Sequence, residues 1–248
     1  LKDKAGNPVD ETIDATYRRV ARALADVEEK GKQDLWHERF LWALRNGAIP
    51  AGRIISNAGA LEHKPSTSTI NCTVSGIVED SMLDILEKNL EAGLTLKAGC
   101  GIGYEFSTLR PKGAYVSGAG AYTSGPLSFM DIFDKMCFTV SSAGGRRGAQ
   151  MGTFDVRHPD VLEFIKAKHE PGRLRMFNLS VLVTDAFMQA VKEDAAWELQ
   201  FDGQTYKSLP AREIWDSIMQ ATYAFAEPGV IFIDRINQKN NLNYCESI

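Results

Sequence analysis

Cys72 stands in the run STINCTVSG, with Asn71 and Thr73 beside it. A cysteine kept only for packing sits more often among aliphatic residues, so a thiol with polar neighbours is a candidate for proton or electron transfer. Three glycine-rich stretches, 99–103, 113–125 and 144–152, adjoin helical patterns, and Arg110, Lys112, Arg146 and Arg147 lie in or near them. Glycine lets backbone N–H groups approach an anion, and a helix amino terminus favours negative charge. Taken together the three stretches point to a phosphorylated ligand, with a nucleotide as the natural candidate. The plain alternative is a set of turns carrying solvated charges.

Other chemistries find no support. The chain has 248 residues, is 44% hydrophobic and carries a formal net charge of -4, which does not fit a polybasic nucleic-acid binder. No apolar run approaches a membrane span, and LKDKAGNPVDET has no apolar signal core, so a cytoplasmic protein without membrane or nucleic-acid partners is expected. The four cysteines (72, 100, 137 and 245) form no CxxC pair, so neither a metal site nor a disulfide scaffold is expected. Cys100 in GCGIG and Cys137 in KMCFTV read as packing residues. GxG at 101–103 lacks the third glycine of a dinucleotide fingerprint, and GxxxxGK[ST], GxSxG and HExxH are missing.

Residues 8–46 read as two helices, the first stopping near Gly31 and the second ending at Gly47. GRIISNAG, after Pro50, reads as β-prone, as does STINCTVSG. DSMLDILEKNLEAGLTLKAG is an amphipathic helix that Asp80 or Ser81 can cap, with Met82, Ile85, Leu86 and Leu90 along one stripe. FMDIFDKMCFTV and HPDVLEFIKAKHE read as helices, the latter with Pro159 in its first turn. RMFNLSVLVTD reads as a buried strand, DAFMQAVKED as a helix, and WELQFDGQTYKSLP as a hairpin turning at Asp202-Gly203. AREIWDSIMQATYAFAEPG is a helix and VIFIDRIN a strand. Helices first, then loosely alternating strands and helices, predict an α/β fold with a largely parallel sheet.

Six stretches, STINCTVSGIVEDSM, KAGCGIGYEFSTLRPKGA, TSGPLSFMDIF, SSAGGRRGAQMGTFDVRHPDVLEFI, FNLSVLVTDAFMQAV and EPGVIFIDRIN, follow one another over about residues 50–240. In that order they resemble the large catalytic subunit of ribonucleotide reductase, closest to the adenosylcobalamin-dependent class. The resemblance implies an α/β fold: an N-terminal helical segment over 1–49, then about the first half of a ten-stranded α/β barrel over 50–248. It implies reduction of ribonucleotides to 2′-deoxyribonucleotides by thiyl-radical chemistry, with Cys72 protonating the departing 2′-hydroxyl and then forming a disulfide with a later cysteine. Asn71, Gly101 and Arg146 match substrate-contacting positions. Asp80, Ser81, Met82 and Arg110 match the binding segment for a deoxynucleoside triphosphate effector, at the start of a helix in a homodimer interface. Ser142, Gly144, Gly145, Arg146, Arg147 and Gln150 fall on the matching specificity loop, where glycine would allow several loop shapes and arginine a planar donor fork.

Some positions depart from the pattern. Family members often carry Gln and Thr where this chain has Ser142 and Gly145, and PAGRIISNAG differs from the commoner Pro-Thr form. The tail NNLNYCESI imitates the NxCxE radical-cysteine motif, but Glu246 follows Cys245 directly, so Cys245 is expected to lie upstream of the true motif. The expectation is then an N-terminal fragment, inactive alone. Its partners would be the missing C-terminal half, which carries most of the adenosylcobalamin site, and a thioredoxin-like reductant. A non-catalytic, dimerising nucleotide-binding half of a split reductase is the alternative. The specificity-loop motifs argue against a glycyl-radical enzyme of the same barrel type.

Overall fold

The computed structural model describes residues 1–64, 68–140 and 148–248. They divide into two compact units, the first built from residues up to 73 together with 97–100, the second from 74–96, 101–140 and 148–248.

The first unit is helical. α1 (Ile13–Ala25) begins where the Thr12 side chain accepts the N–H of Ala15, and α2 (Gln33–Arg45) runs back along it. Asp14 near the start of α1 pairs with Arg45 at the end of α2, and these guanidinium hydrogen bonds, with Arg18, hold its carboxyl down at about 2. Val20, Ala21, Leu41 and Leu44 form the core between them. α1 stops at Ala25 rather than near Gly31, which instead turns the chain toward α2. GRIISNAG, expected to be β-prone, contains the helix α3 (Gly52–Asn57). The cause is distant in sequence. Arg19 of α1 donates to the carbonyls of Ile55 and Ala58, satisfying the end of α3, while Ile54 and Ile55 pack on the unit's core.

The second unit is built on a sheet of order β1-β2-β5-β6-β9. The members β2 (Gly101–Glu105), β5 (Gln150–Asp155), β6 (Phe177–Val183) and β9 (Gly229–Phe232) are parallel, with Gly103 opposite Met151 and Met151 opposite Asn178. β1 (Cys72–Val74) reaches this unit at Val74, and the following residue, Ser75, donates to the Gly103 carbonyl. Helices make the crossovers: α5 (Pro126–Thr139) before β5, α6 (Val161–Ile165) before β6, then α7 (Asp185–Glu193) and α8 (Ala211–Phe225) before β9. The hairpin β7 (Ala196–Phe201) and β8 (Gln204–Pro210) turns at Asp202 and Gly203, both at positive φ as a tight primed turn requires. α4 (Met82–Lys97) leads into β2, and the short hairpin β3 (Tyr115–Val116) and β4 (Ala121–Tyr122) precedes α5. The expected final strand VIFIDRIN ends at Phe232, where α9 (Ile233–Lys239) starts.

The parallel α/β expectation holds, and the sheet is open rather than closed. Tyr104, Phe106, Phe133 and Phe177 form an aromatic cluster on the helix-covered face. Two local readings change. The 99–103 stretch is not a loop, because the GxG glycines lie on β2. In α4 the inward line is Ile85, Ala92 and Leu96, while Met82, Leu83, Leu86, Leu90 and Leu94 are each at least half exposed. Of the stripe read from the sequence, Met82, Leu86 and Leu90 therefore face outward and Ile85 inward.

Candidate nucleotide and redox sites

Asn71 and Cys72 lie together in the first unit, exposed, and the Cys72 thiol is free. Cys100, in the same unit, is buried and donates its thiol to the carbonyl of Ile70 at 3.1 Å. It anchors the residue just before Asn71, a positioning role that the packing reading missed. Its only sequence signal is a cysteine preceding the strand that carries Gly101. Cys137 is buried in the second unit, and burial pushes its thiol up to about 11, which suits the expected core residue.

The second unit brings Asp80, Ser81 and Arg110 together. Asp80 accepts the Arg110 Nε–H at 2.6 Å and the Arg110 backbone N–H at 3.2 Å. The guanidinium also donates to the carbonyls of Asp80 and Tyr115. Ser81 caps α4 by accepting the N–H of Asp84, and Met82 opens the helix with its side chain exposed. Thr108 donates to the Val78 carbonyl at 2.7 Å, fixing the strand end against this turn. The result is a partly exposed ion pair beside a helix amino terminus.

Of the specificity-loop residues, Ser142, Gly144, Gly145, Arg146 and Arg147 lie outside the described residues. The described flank is firmly seated. A Cβ on Gly148 would come within 2.7 Å of Cys137 Sγ, so that position accepts no side chain without a shift. The Gln150 side chain, expected on the loop, is buried at the start of β5, accepting from the Tyr104 hydroxyl at 3.0 Å and donating to the Phe133 carbonyl at 3.1 Å. Its side chain is thus held in the core at the start of β5. Gly101 opens β2 in the same unit. Gly113 donates its N–H to the Thr123 carbonyl just before α5, and Gly148 lies against Cys137 near the other end of that helix.

Sequence reasoning overlooked His158 and Asn178. His158 is buried against Phe154, with Nε2 at 2.9 Å from the Leu109 carbonyl and Nδ1 accepting the Asp160 N–H, so the ring is neutral and its pKa is lowered to about 4 by burial. It clips the Arg110 segment to the turn before α6. Asn178 is the exposed member of β6, on the face that helices leave bare; an Asn in an otherwise apolar alternation was the available signal. Among the described residues no group of His, Cys, Asp and Glu is arranged to hold a metal ion. No helix is long and apolar enough to cross a membrane among them.

A helical unit followed by a sheet of parallel strands with helical crossovers defines the class: an α/β protein with part of a barrel. The ribonucleotide reductase barrel-domain model matches residues 70–248, and the ribonucleotide reductase all-alpha-domain model matches residues 1–62. The chain belongs to the ribonucleotide reductase family. It is 39% identical over 247 residues to a vitamin B12-dependent ribonucleoside-diphosphate reductase of Mycobacterium tuberculosis, covering 97% of this chain and 35% of that protein. A protein of the same name from Thermoplasma acidophilum is 35% identical over 89% of this chain and 31% of its own length. The ribonucleoside-diphosphate reductase subunit alpha of Helicobacter pylori is 27% identical over 97% of this chain and 33% of its own length. The chain thus spans about a third of the length of the curated relatives it matches.

Proposed function

We propose that this chain supplies the redox-cysteine strand and the effector site of a ribonucleotide reductase. The observation that carries the reading is the joint placement of Asp80, Ser81 and Arg110 in one compact unit of a chain belonging to this family. In the reaction, the Cys72 thiol gives its proton to the departing 2′-hydroxyl, which leaves as water. Cys72 and a second cysteine together give two electrons to the ribose carbon, the second thiol's proton completes the new C–H bond, and the two sulfurs join as a disulfide. A thioredoxin-like dithiol then reopens it. The relatives' names support a nucleoside diphosphate as substrate and adenosylcobalamin as cofactor. Adenosylcobalamin, when bound, supplies the radical that opens such chemistry. The described residues offer no ligand cluster for cobalt, so none of them is assigned to it.

Effector control and a homodimer belong to the same proposal. The outward face of α4 carries five large apolar residues, and Gly93 packs beside Met136 of α5, so the two helices form one surface. An exposed apolar face of this kind marks an interaction site. A two-fold interface through this face would pair two copies of the chain. Calorimetric titration with deoxynucleoside triphosphates, followed by light scattering, tests the reading. Binding that promotes a dimer and is lost in Asp80→Ala is the expected result. A folded chain that binds no nucleotide overturns it.

A further inference from the structure

Among the described residues, four other than glycine take a positive φ: Leu174, Asp194, Asp202 and Ala226. Aspartate tolerates this conformation, because its short polar side chain can bond locally, and leucine and alanine have no such compensation. Strain of this kind persists only where the surrounding structure fixes it, and it gathers at ligand sites. Ala226 lines a cavity of about 480 Å³ in the second unit, and Leu174 stands between two other lining residues, Arg173 and Arg175. The Leu174 side chain is buried, so the core grips it while the residues on either side of it line the cavity. Both strained residues that lack a local reason for their conformation thus belong to the walls of one cavity.

The cavity lies where α8 ends and β6 begins, and its charges are unevenly satisfied. Lys168 pairs with Glu227 at 2.8 Å and donates to the Phe177 carbonyl at 2.7 Å. Arg173 donates to both oxygens of Asp131, at 3.2 and 3.0 Å. The Arg175 guanidinium has no hydrogen bond or ion pair among the described residues, and neither has the side chain of Asn178, which also lines the cavity. An apolar wall belongs to the same space: Phe225 is 46% exposed and stacks on His169 with ring centroids 4.2 Å apart.

A guanidinium is a planar fork that takes a carboxylate through two parallel hydrogen bonds. Of the cations lining the cavity only Arg175 is uncompensated, and Glu170 and Glu227 line it too, so a polyanion would meet repulsion that a monoanion largely escapes. We propose that this cavity binds a small carboxylate, held by Arg175 and Asn178, with its apolar part against Phe225. The inference does not depend on the effector reading, and none of these residues belongs to the Asp80–Arg110 site.

The test titrates the 248-residue chain with phenylacetate, with uncharged phenylacetamide of similar shape, and with inorganic phosphate, followed by protein NMR. Saturable phenylacetate binding with a Kd on the order of 1 mM is expected for a ligand of this size. Losing a charge-assisted hydrogen bond corresponds to roughly a 10- to 150-fold change in affinity. Arg175→Gln should therefore weaken phenylacetate by about ten-fold or more, and the parent chain should bind phenylacetamide weaker by a similar factor. Arg175 is exposed and unpaired, so the variant should unfold at the parent's urea midpoint, and the phenylacetamide comparison needs no variant at all. A parent chain without saturable phenylacetate binding, or equal affinity in Arg175→Gln and the parent, overturns the proposal. Equal binding of phenylacetamide and phenylacetate overturns it as well, because the carboxylate would then play no part. Phosphate bound more tightly than phenylacetate overturns the choice of a carboxylate.

Discussion

The parallel sheet of the second unit has two faces of unlike character. On one, Tyr104, Phe154, Phe177, Leu179 and Val181 are buried beneath helices. On the other, Met151, Thr153 and Ser180 are only half-buried and Asn178 is exposed. The strands alternate, so a single register assigns both faces at once. Parallel sheets are ordinarily covered on both sides and read as nearly continuous apolar runs. β6, FNLSVLV, departs from that rule by placing Asn178 and Ser180 on the bare side. The difference shows where stability and chemistry separate. The covered face holds the unit together, and the bare face is free to carry polar groups because no helix must be packed there.

The largest effect should come from the covered face. Phe177→Ala removes a buried ring from the cluster of Tyr104 and Phe106 and should cost about 3–5 kcal/mol in urea unfolding. A loss below about 1 kcal/mol would show that the aromatic cluster does not support the sheet.

His158 sharpens the comparison at the rim where β5 ends. Its folded pKa is lowered to about 4, whereas an unfolded histidine titrates near 6.5. Between these values the unfolded chain binds the proton and the folded chain does not. Its contribution is therefore full above about pH 6.5 and declines as pH falls toward 4, by at most about 1.4 kcal/mol per pH unit. Unfolding midpoints at pH 7 and pH 5 should differ more in the parent chain than in His158→Gln. The same pH slope in both would remove His158 as the cause.

The smallest effect belongs to the bare face. Asn178→Ala should change unfolding stability by no more than about 0.5 kcal/mol, because the side chain is exposed on β6. A cost comparable to that of Phe177→Ala would erase the distinction between the faces.

Much of this organisation was legible in the chain. Asp202-Gly203 announced its hairpin, because only a few residue pairs tolerate two successive positive φ angles. RMFNLSVLVTD announced a strand, which is buried on one face, and Asp80 or Ser81 the start of α4, where Ser81 is the cap. Where reading failed, the deciding contact was remote. GRIISNAG became helical because Arg19, more than thirty positions earlier, reaches the carbonyls at its end. Met82, Leu86 and Leu90 were read as one stripe and are exposed, since periodicity fixes which residues share a face and is silent on what that face meets. Gln150 looked like a loop residue until Tyr104 and Phe133 were seen to hold its amide.

The sequence by itself determined the family, the alternation of elements and the identity of Cys72, Asp80 and Arg110 as candidates, because these depend on residue type and order along the chain. The tertiary structure decided that Asp80 and Arg110 form one hydrogen-bonded pair 30 positions apart. It also set Cys100 behind Asn71, and it left one face of the sheet bare. Those outcomes depend on which distant groups satisfy each other's polar atoms and cover each other's apolar surface, and such pairings arise only once the chain has packed.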